Sequence, residues 1–539
     1  MNKWIALLLL TISINATAKE KNLERPKLVV GIVVDQMRWD YLYRYYERYG
    51  NDGFKRLLQE GFSCEQTMIN YLPSFTAPGH SCIYTGSVPS IHGIAGNDWI
   101  DNLTGRKWYC TEDTTVTPVG GSKAAGMMSP RNLLASTITD ELRLATNFQS
   151  RVFGFSLKDR GAILPAGHLA NGAYWFDDST GNFMSSSFYS AQLPAWLQEI
   201  NNRKLANAYL QKGWQLMYPA NTYTQSLPDN NIFEGKFSGE IAPVFPHVFK
   251  APFNYNNLRK IPAGNTFTFD AAKACVEGEK MGTRTSIDFL CISLSATDYI
   301  GHQFTPNSME AEDCYLKLDK DLANFLSFLD QNVGKGNYLV FLTADHGAAH
   351  NPEYLKSISM NAGMDNETGV YAQLNTYLKQ ELKHDSLMMG VENYQVFLNR
   401  NKIATSGLAE ELVKDKIINW FKSQPQIAYV VDMDNLNKTP LPDAIKTKII
   451  NGYNRERSGQ ILLIQNPGWY HGYAATGTTH GTWNPYDTHI PLLWYGWHIA
   501  KGASNTTVYM EDITATLAAL LHIQMPNGCI GKPIEAVVK

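Results

Sequence analysis

At 539 residues the chain has length for roughly two to four domains, and its 44% apolar, 18% charged and 12% aromatic residues are those of a globular protein rather than a disordered one. A formal net charge of −3 excludes the strong basic field by which proteins hold nucleic acid or anionic membranes. Seven cysteines are too few at this length for a disulfide scaffold, and no close C-x-x-C pair offers a thiolate zinc site.

The opening "MNKWIALLLLTISINATAKEKN" joins one lysine, an apolar stretch and small residues at Ala16 and Ala18. This reads as a secretory signal over residues 1–18, cut near Ala18, with no nearby cysteine to carry a lipid anchor. Beyond it no apolar stretch is long enough to span a bilayer, so the mature protein is expected to be soluble, periplasmic or secreted, without an integral membrane segment. An oxidising compartment would let some cysteines pair, the odd count leaving at least one alone within the chain.

The first element is "KLVVGIVVDQMRWDYL", a β-branched run ending in Asp35 and followed by aromatic and apolar residues at helical spacing through Tyr49. "NYLPSFTAPGHSCIYTG" then sets Thr76 just before a helix whose first turn holds Pro78. Further strands are predicted in "RVFGFSLKDRG", "SIDFLCISLSATDYIGH" and "GNYLVFLTADHG", with a helix in "EAEDCYLKLDKDLANFLSFLDQNV" and a last one in "EDITATLAALLHI". Strands alternating with helices predict an α/β fold with a mostly parallel central sheet and helices on both faces. Two regions break the rhythm: about 165–275, rich in Asn, Gly, Pro and aromatics, and about 355–475, of mixed character. The economical reading is a single α/β domain, residues 19–539, with these insertions as cap segments over the site; two separate domains stay open.

Strand ends carry the chemistry. "TADHG" places Asp345 and His346 together after the apolar run "YLVFL", and Asp35 ends the first strand. In "SATDYIGHQ", Asp298 and His302 are four apart, which a helical turn turns to one face. "THGTWNPYDTHIPLLWYG" offers His480, with His489 as a rival. Any one of these alone is an ordinary strand-end or solvated polar residue. Six oxygen and nitrogen donors without a thiolate suit two hard or borderline cations, zinc foremost, since one zinc ion needs only three or four protein ligands. Two ions about 3.5–4 Å apart clamp the attacking and leaving oxygens of an in-line displacement at phosphorus. Thr76 could merely cap its helix, or, bound to a metal at a helix start, ionise and attack, because cation and dipole both stabilise its alkoxide.

The series "VVDQMRWDYL", "SFTAPGHSCIYTGSVPSIHGIAGNDW", "SLKDRGAILPAGHLANGAYWFD", "SATDYIGHQFTP", "TADHG" and "THGTWNPYDTHIPLLWYG" resembles the phosphodiesterase/nucleotide pyrophosphatase branch of the alkaline phosphatase superfamily. Within that branch it is similar, from about residue 27 to 535, to the bacterial PafA-type alkaline phosphatases, which are secreted monoesterases. The resemblance implies an alkaline-phosphatase-like core and two zinc ions per chain. Asp35, Asp345 and His346 would hold the zinc that activates the nucleophile Thr76; Asp298, His302 and His480 would hold the zinc that takes the leaving-group oxygen. It gives His489 no ligand role, leaves His80 and His92 either structural or supporting the ligands from behind, and assigns His350 nothing. Asn97 resembles the residue that donates to a phosphoryl oxygen.

Lys158 and Arg160, two apart in "SLKDRG", would reach one face of an extended backbone and supply two positive charges to a phosphoryl dianion. Three aspartates, two zinc ions and a Thr76 alkoxide sum to roughly zero charge, so this pair matches a monoester dianion better than a singly charged diester. The expectation is therefore a phosphate monoester hydrolase acting on small-molecule substrates through a phosphothreonine, with broad specificity because every contact goes to the phosphoryl group. The alternative is a nucleotide pyrophosphatase or phosphodiesterase, expected to lack the "LKDR" pair. A sulfatase would need a Cys or Ser nucleophile that "TAPGH" does not supply, and a zinc-stabilised, non-catalytic binding protein is a remote reading. Oligomeric state and structural ions such as Ca²⁺ are not legible.

Overall fold

A computed structural model describes residues 24–472 and 474–538; the segment read as a secretory signal lies outside the described residues. Strand β1 (Leu28–Val34) is buried along its whole length. A strand covered on both faces is expected to be continuously apolar, as "LVVGIVV" is, rather than alternating. Around it lie β2 (Phe62–Met68), β3 (Val152–Ser156), β4 (Gly172–Asp177), β5 (Asn182–Ser186), β6 (Asp288–Leu294), β7 (Tyr338–Thr343), β8 (Leu492–Gly496) and β9 (Gly502–Tyr509). They belong to an eleven-stranded sheet among the described residues, with the spatial order β2-β8-β7-β1-β6-β3-β4-β5 and β9 on β2. The four central neighbours β7, β1, β6 and β3 are mutually parallel, while β8 and β5 run antiparallel to their partners.

This is the α/β architecture read from the sequence, a large central sheet with helices packed against it. Helices α1 (Thr76–Thr85), α2 (Asp159–Ala166), α3 (Ala263–Gly278), α4 (Ala296–Phe304), α5 (Met309–Leu329) and α6 (Asp512–Leu521) flank the sheet; α1 packs on α2 and α6, and α3 on α4 and α5. Serial apolar burial along β1, β6 and β7 makes one continuous core with these helices. The insertions differ in kind. Residues 172–186, inside the first irregular region, extend the main sheet as β4 and β5. The second region builds a separate four-stranded sheet from Met388–Glu392, Gln395–Leu398, Ile427–Asp432 and Ile461–Gln465, with its own apolar cluster around Leu374, Val396, Ile417 and Leu463.

One local expectation is corrected. Lys158 and Arg160 do not share an extended segment: β3 stops at Ser156, Lys158 is the N-cap of α2, and Arg160 lies in its first turn. Asp159 at the first helical position suits the positive end of the helix dipole, and a helix runs from there through Ala166, despite Gly161 and Pro165, where the sequence reading continued a strand.

Candidate active site

Parallel strands place all their carboxyl ends along one edge, where open α/β sheets bind ligands. Asp35 follows β1, Asp345 follows β7, Asp298 lies in α4 just after β6, and Lys158 follows β3, so four adjacent strands deliver these side chains to one place. Asp35, Thr76, Lys158, Asp298, Asp345, His346 and His480 are all buried, and His302 is partly open.

Two groups of potential ligands form among the described residues: Asp35 with Asp345 and His346, and Asp298 with His302 and His480, each with its donor atoms within 4.8 Å of one another. His346 Nε2 is 3.5 Å from Asp35 Oδ1 and 3.5 Å from Asp345 Oδ2. His302 Nε2 and His480 Nε2 lie 3.2 and 3.6 Å from Asp298 Oδ1. The α4 turn predicted from the four-residue spacing puts Asp298 and His302 on one face. Stacking of the His346 and His480 rings, centroids 3.5 Å apart, joins the groups.

The imidazole orientations test whether a cation fits. His346 Nδ1 faces Gly347 O at 2.9 Å, His302 Nδ1 faces Thr478 O at 2.7 Å, and His480 Nδ1 faces Ser74 O at 2.9 Å. A carbonyl only accepts, so each Nδ1 carries the hydrogen and each Nε2 faces carboxylate oxygens. At His346 and His480 the facing lone pairs repel unless a cation lies between them, whereas at His302 burial is outweighed by Asp298, which raises the pKa, so a proton can also bridge that contact. Asp35 Oδ1 and Asp345 Oδ2 are moreover buried and accept no hydrogen bond. Imidazole and carboxylate donors without thiolate fit zinc. Burial holds His346 below the usual imidazole value despite nearby Asp345, and burial with the neighbouring His346 holds His480 well below it, so both stay neutral as ligands must.

Thr76 is the first residue of α1, not its cap; Phe75 takes that position. Its hydroxyl is therefore unused locally and lies 3.4 Å from His346 Nε2 and 3.5 Å from Lys158 Nζ. Asn97 Oδ1 accepts the Ala77 amide at 2.9 Å, which fixes the side chain beside Thr76 with its NH₂ end left to donate. Lys158 Nζ donates to Asp35 Oδ2 at 2.7 Å and to Asp298 Oδ2 at 2.6 Å, one carboxylate from each group. Burial pulls its pKa down, but Asp298 and Asp35 outweigh that and leave it above the ordinary lysine value, so the ammonium is charged. Arg160 goes elsewhere: Nη1 donates to Tyr109 Oη at 3.0 Å, and Nε is buried without a partner. The two cations predicted to share a face thus diverge, Lys158 between the carboxylates and Arg160 along the wall formed with Tyr109.

The four other histidines considered in the sequence have structural partners. His489 donates Nε2–H to Glu65 O at 2.8 Å and stacks on Trp39. His350 lies between Arg38 Nη1, 3.2 Å, and Asn307 Oδ1, 2.7 Å. His92 Nδ1 accepts the Ile94 amide at 3.1 Å. His80 bonds Thr76 O at 2.9 Å and Ser293 Oγ at 2.8 Å, tying α1 to β6 while lying 3.3 Å from Asp345 Oδ2. Tyr109 was not singled out in the sequence: it lies 51 residues before Arg160, and no local pattern links them.

The type I phosphodiesterase/nucleotide pyrophosphatase family model matches residues 29–489, and the chain belongs to that family. Its near relatives within it are alkaline phosphatases of the PafA and PhoV kind. Alkaline phosphatase PhoV of Synechococcus elongatus is 50% identical over 96% of this chain and 93% of its own length. A Myroides odoratus protein named calcium-transporting ATPase is 49% identical over 97% of each. The crystal structure of wild-type alkaline phosphatase PafA superposes with a TM-score of 0.94, at 48% identity, covering 96% of this chain and 100% of that one.

Proposed function

We propose that this alkaline phosphatase is a secreted phosphate monoesterase holding two zinc ions and working through a covalent phosphothreonine at Thr76. Asp35, Asp345 and His346 would hold one ion and Asp298, His302 and His480 the other; when bound, the pair supplies Lewis-acid stabilisation of the attacking and leaving oxygens. Cap segments on a single domain would frame the entrance.

The chain's own residues do the rest. The deprotonated Thr76 Oγ1 attacks phosphorus in line, forming the Oγ–P bond as the ester P–O bond breaks and the leaving group departs as an alkoxide that takes a proton from water. Asn97 through its NH₂ group and Lys158 hold the non-bridging oxygens, and Arg160 would have to leave its contact with Tyr109 to join them. Water then attacks the same phosphorus from the opposite side, the Oγ–P bond breaks, and inorganic phosphate departs with the threonine restored. Every contact goes to the phosphoryl group, so broad specificity toward the alcohol follows.

The observation that carries this reading is the free Thr76 hydroxyl at the start of α1, within 3.5 Å of both an imidazole of the first group and the ammonium that bridges the two groups. Thr76→Ala is expected to abolish turnover of an aryl phosphate while retaining bound zinc, and acid-quenched wild type should carry labelled phosphate on Thr76. Unchanged turnover, or label on another residue, refutes the nucleophile.

A phosphodiesterase reading is favoured by the family model and opposed by Lys158, whose buried charge suits a dianion. Initial rates on an aryl monoester and its methyl diester separate them. The terminal phosphoryl group of ATP presents a similarly charged end, so ATP belongs among the substrates tested.

A further inference from the structure

Gln36, in "VVDQMR", lies between the two ligand groups. It is buried and its backbone is left-handed, φ 64°, a conformation that costs a residue with a Cβ about 1–2 kcal/mol and persists where surrounding structure demands it. That turn lets one residue reach both ways. Its backbone N–H donates to Asp345 Oδ1 at 3.2 Å, and its side-chain Nε2 donates to Asp298 Oδ1 at 2.7 Å. Asp298 Oδ1 is the oxygen facing both His302 and His480, whereas Oδ2 is taken by Lys158. The amide therefore holds the oxygen that the second ligand group presents.

The "DYIGH" helix accommodates this contact. A Cβ at Gly301, between Asp298 and His302, would overlap Gln36 Oε1, so a larger residue at 301 would push the amide from its present place. Thr297 Oγ1 donating to Asp35 O at 2.6 Å pins the same corner of β1 to α4. Two segments more than 260 residues apart thus share one hydrogen-bonded corner.

We propose that Gln36 is a positioning residue which orients Asp298 for the second metal ion and fixes the spacing of the two ligand groups by bonding a carboxylate in each. The proposal rests on the two-ion reading above. Partners that orient ligands typically change metal affinity or activity by about 10- to 100-fold when removed. Gln36→Ala keeps the left-handed backbone and its N–H but deletes the amide; Gln36→Gly deletes the amide and relieves the backbone.

The test is Zn²⁺ titration of chelator-stripped protein against a competing fluorescent chelator, with His302→Ala identifying the equivalent bound by the second group. Wild type is expected to take two equivalents. Both Gln36 variants should keep the first affinity within about threefold and lose about 10- to 100-fold in the second, and Gly301→Ala, which displaces the amide without touching Gln36, should do the same. If wild type takes fewer than two equivalents, the two-ion reading fails and this inference with it. With two bound by wild type, unchanged affinities in Gln36→Ala, equal weakening of both, or recovery of the second in Gln36→Gly overturns the inference alone. Should Gln36→Ala not fold, the glycine variant at position 36 and Gly301→Ala decide by the same criterion.

Discussion

Replacing Lys158 by alanine tests the substrate assignment most directly. Its ammonium lies 3.5 Å from the Thr76 hydroxyl, so a phosphoryl group on that oxygen has non-bridging oxygens within its reach. A hydrogen bond to a charged group contributes about 1.5–3 kcal/mol, which at 1.36 kcal/mol per tenfold is about 10- to 150-fold in kcat/KM for a dianionic monoester. The Coulomb energy scales with the charge product, so a diester of one negative charge should lose about half that free energy, or about 3- to 12-fold. The variant also deprives Asp35 and Asp298 of a donor. Both rates are therefore measured at saturating zinc with metal content determined on the same sample, where changes in loading act on both substrates alike. Equal losses for an aryl monoester and its methyl diester, or a larger loss for the diester, would refute the charge-matching reasoning.

Three further outcomes are expected. A Cβ at Gly79 would meet Asp345 O at 2.6 Å and Asp345 Cβ at 2.7 Å; because backbone cannot yield, Gly79→Ala should destabilise by about 1–3 kcal/mol, displace Asp345 and lower kcat/KM by about tenfold or more, as denaturant midpoints and initial rates will show. Burial pulls His247 down, but its hydrogen bond to Glu240 and the Glu310 carboxylate 3.3 Å away more than offset this and raise it to about 9. A raised folded pKa gives stability that is complete below the unfolded value near 6.5 and lost as pH climbs through about 9. The neighbouring Glu310, buried and pushed up to about 7, and Glu234, pushed up to about 10 by burial and Glu310, act in the same sense once their unfolded value is passed. Urea midpoints should therefore fall between pH 6.5 and 9, with a shallower slope in His247→Gln; an identical slope removes His247 from the account. Prolonged chelation should abolish phosphatase activity, and zinc alone should restore it; full activity in a preparation free of transition metal contradicts the ligand assignment.

Much of this centre follows from short-range rules. A β-branched run must be a buried strand, and an acid at its end must emerge at the sheet's carboxyl edge, which placed Asp35 and Asp345. Four residues of helix turn Asp298 and His302 to one side whatever the rest of the chain does, and a hydroxyl before "APGH" falls at a helix start. What only the tertiary structure decided are pairings across hundreds of residues. The strand order brings β7, β1 and β6 side by side and hence His346 to Asp35, while a loop far along the chain carries His480 to Asp298. Lys158 and Arg160 parted because a helix begins between them. Gln36 looked like any polar residue after a strand, since its role lies in a left-handed turn and in the absent side chain of Gly301. Periodicity fixes which way a side chain leaves its own element; what it meets depends on long-range packing, which no local spacing encodes.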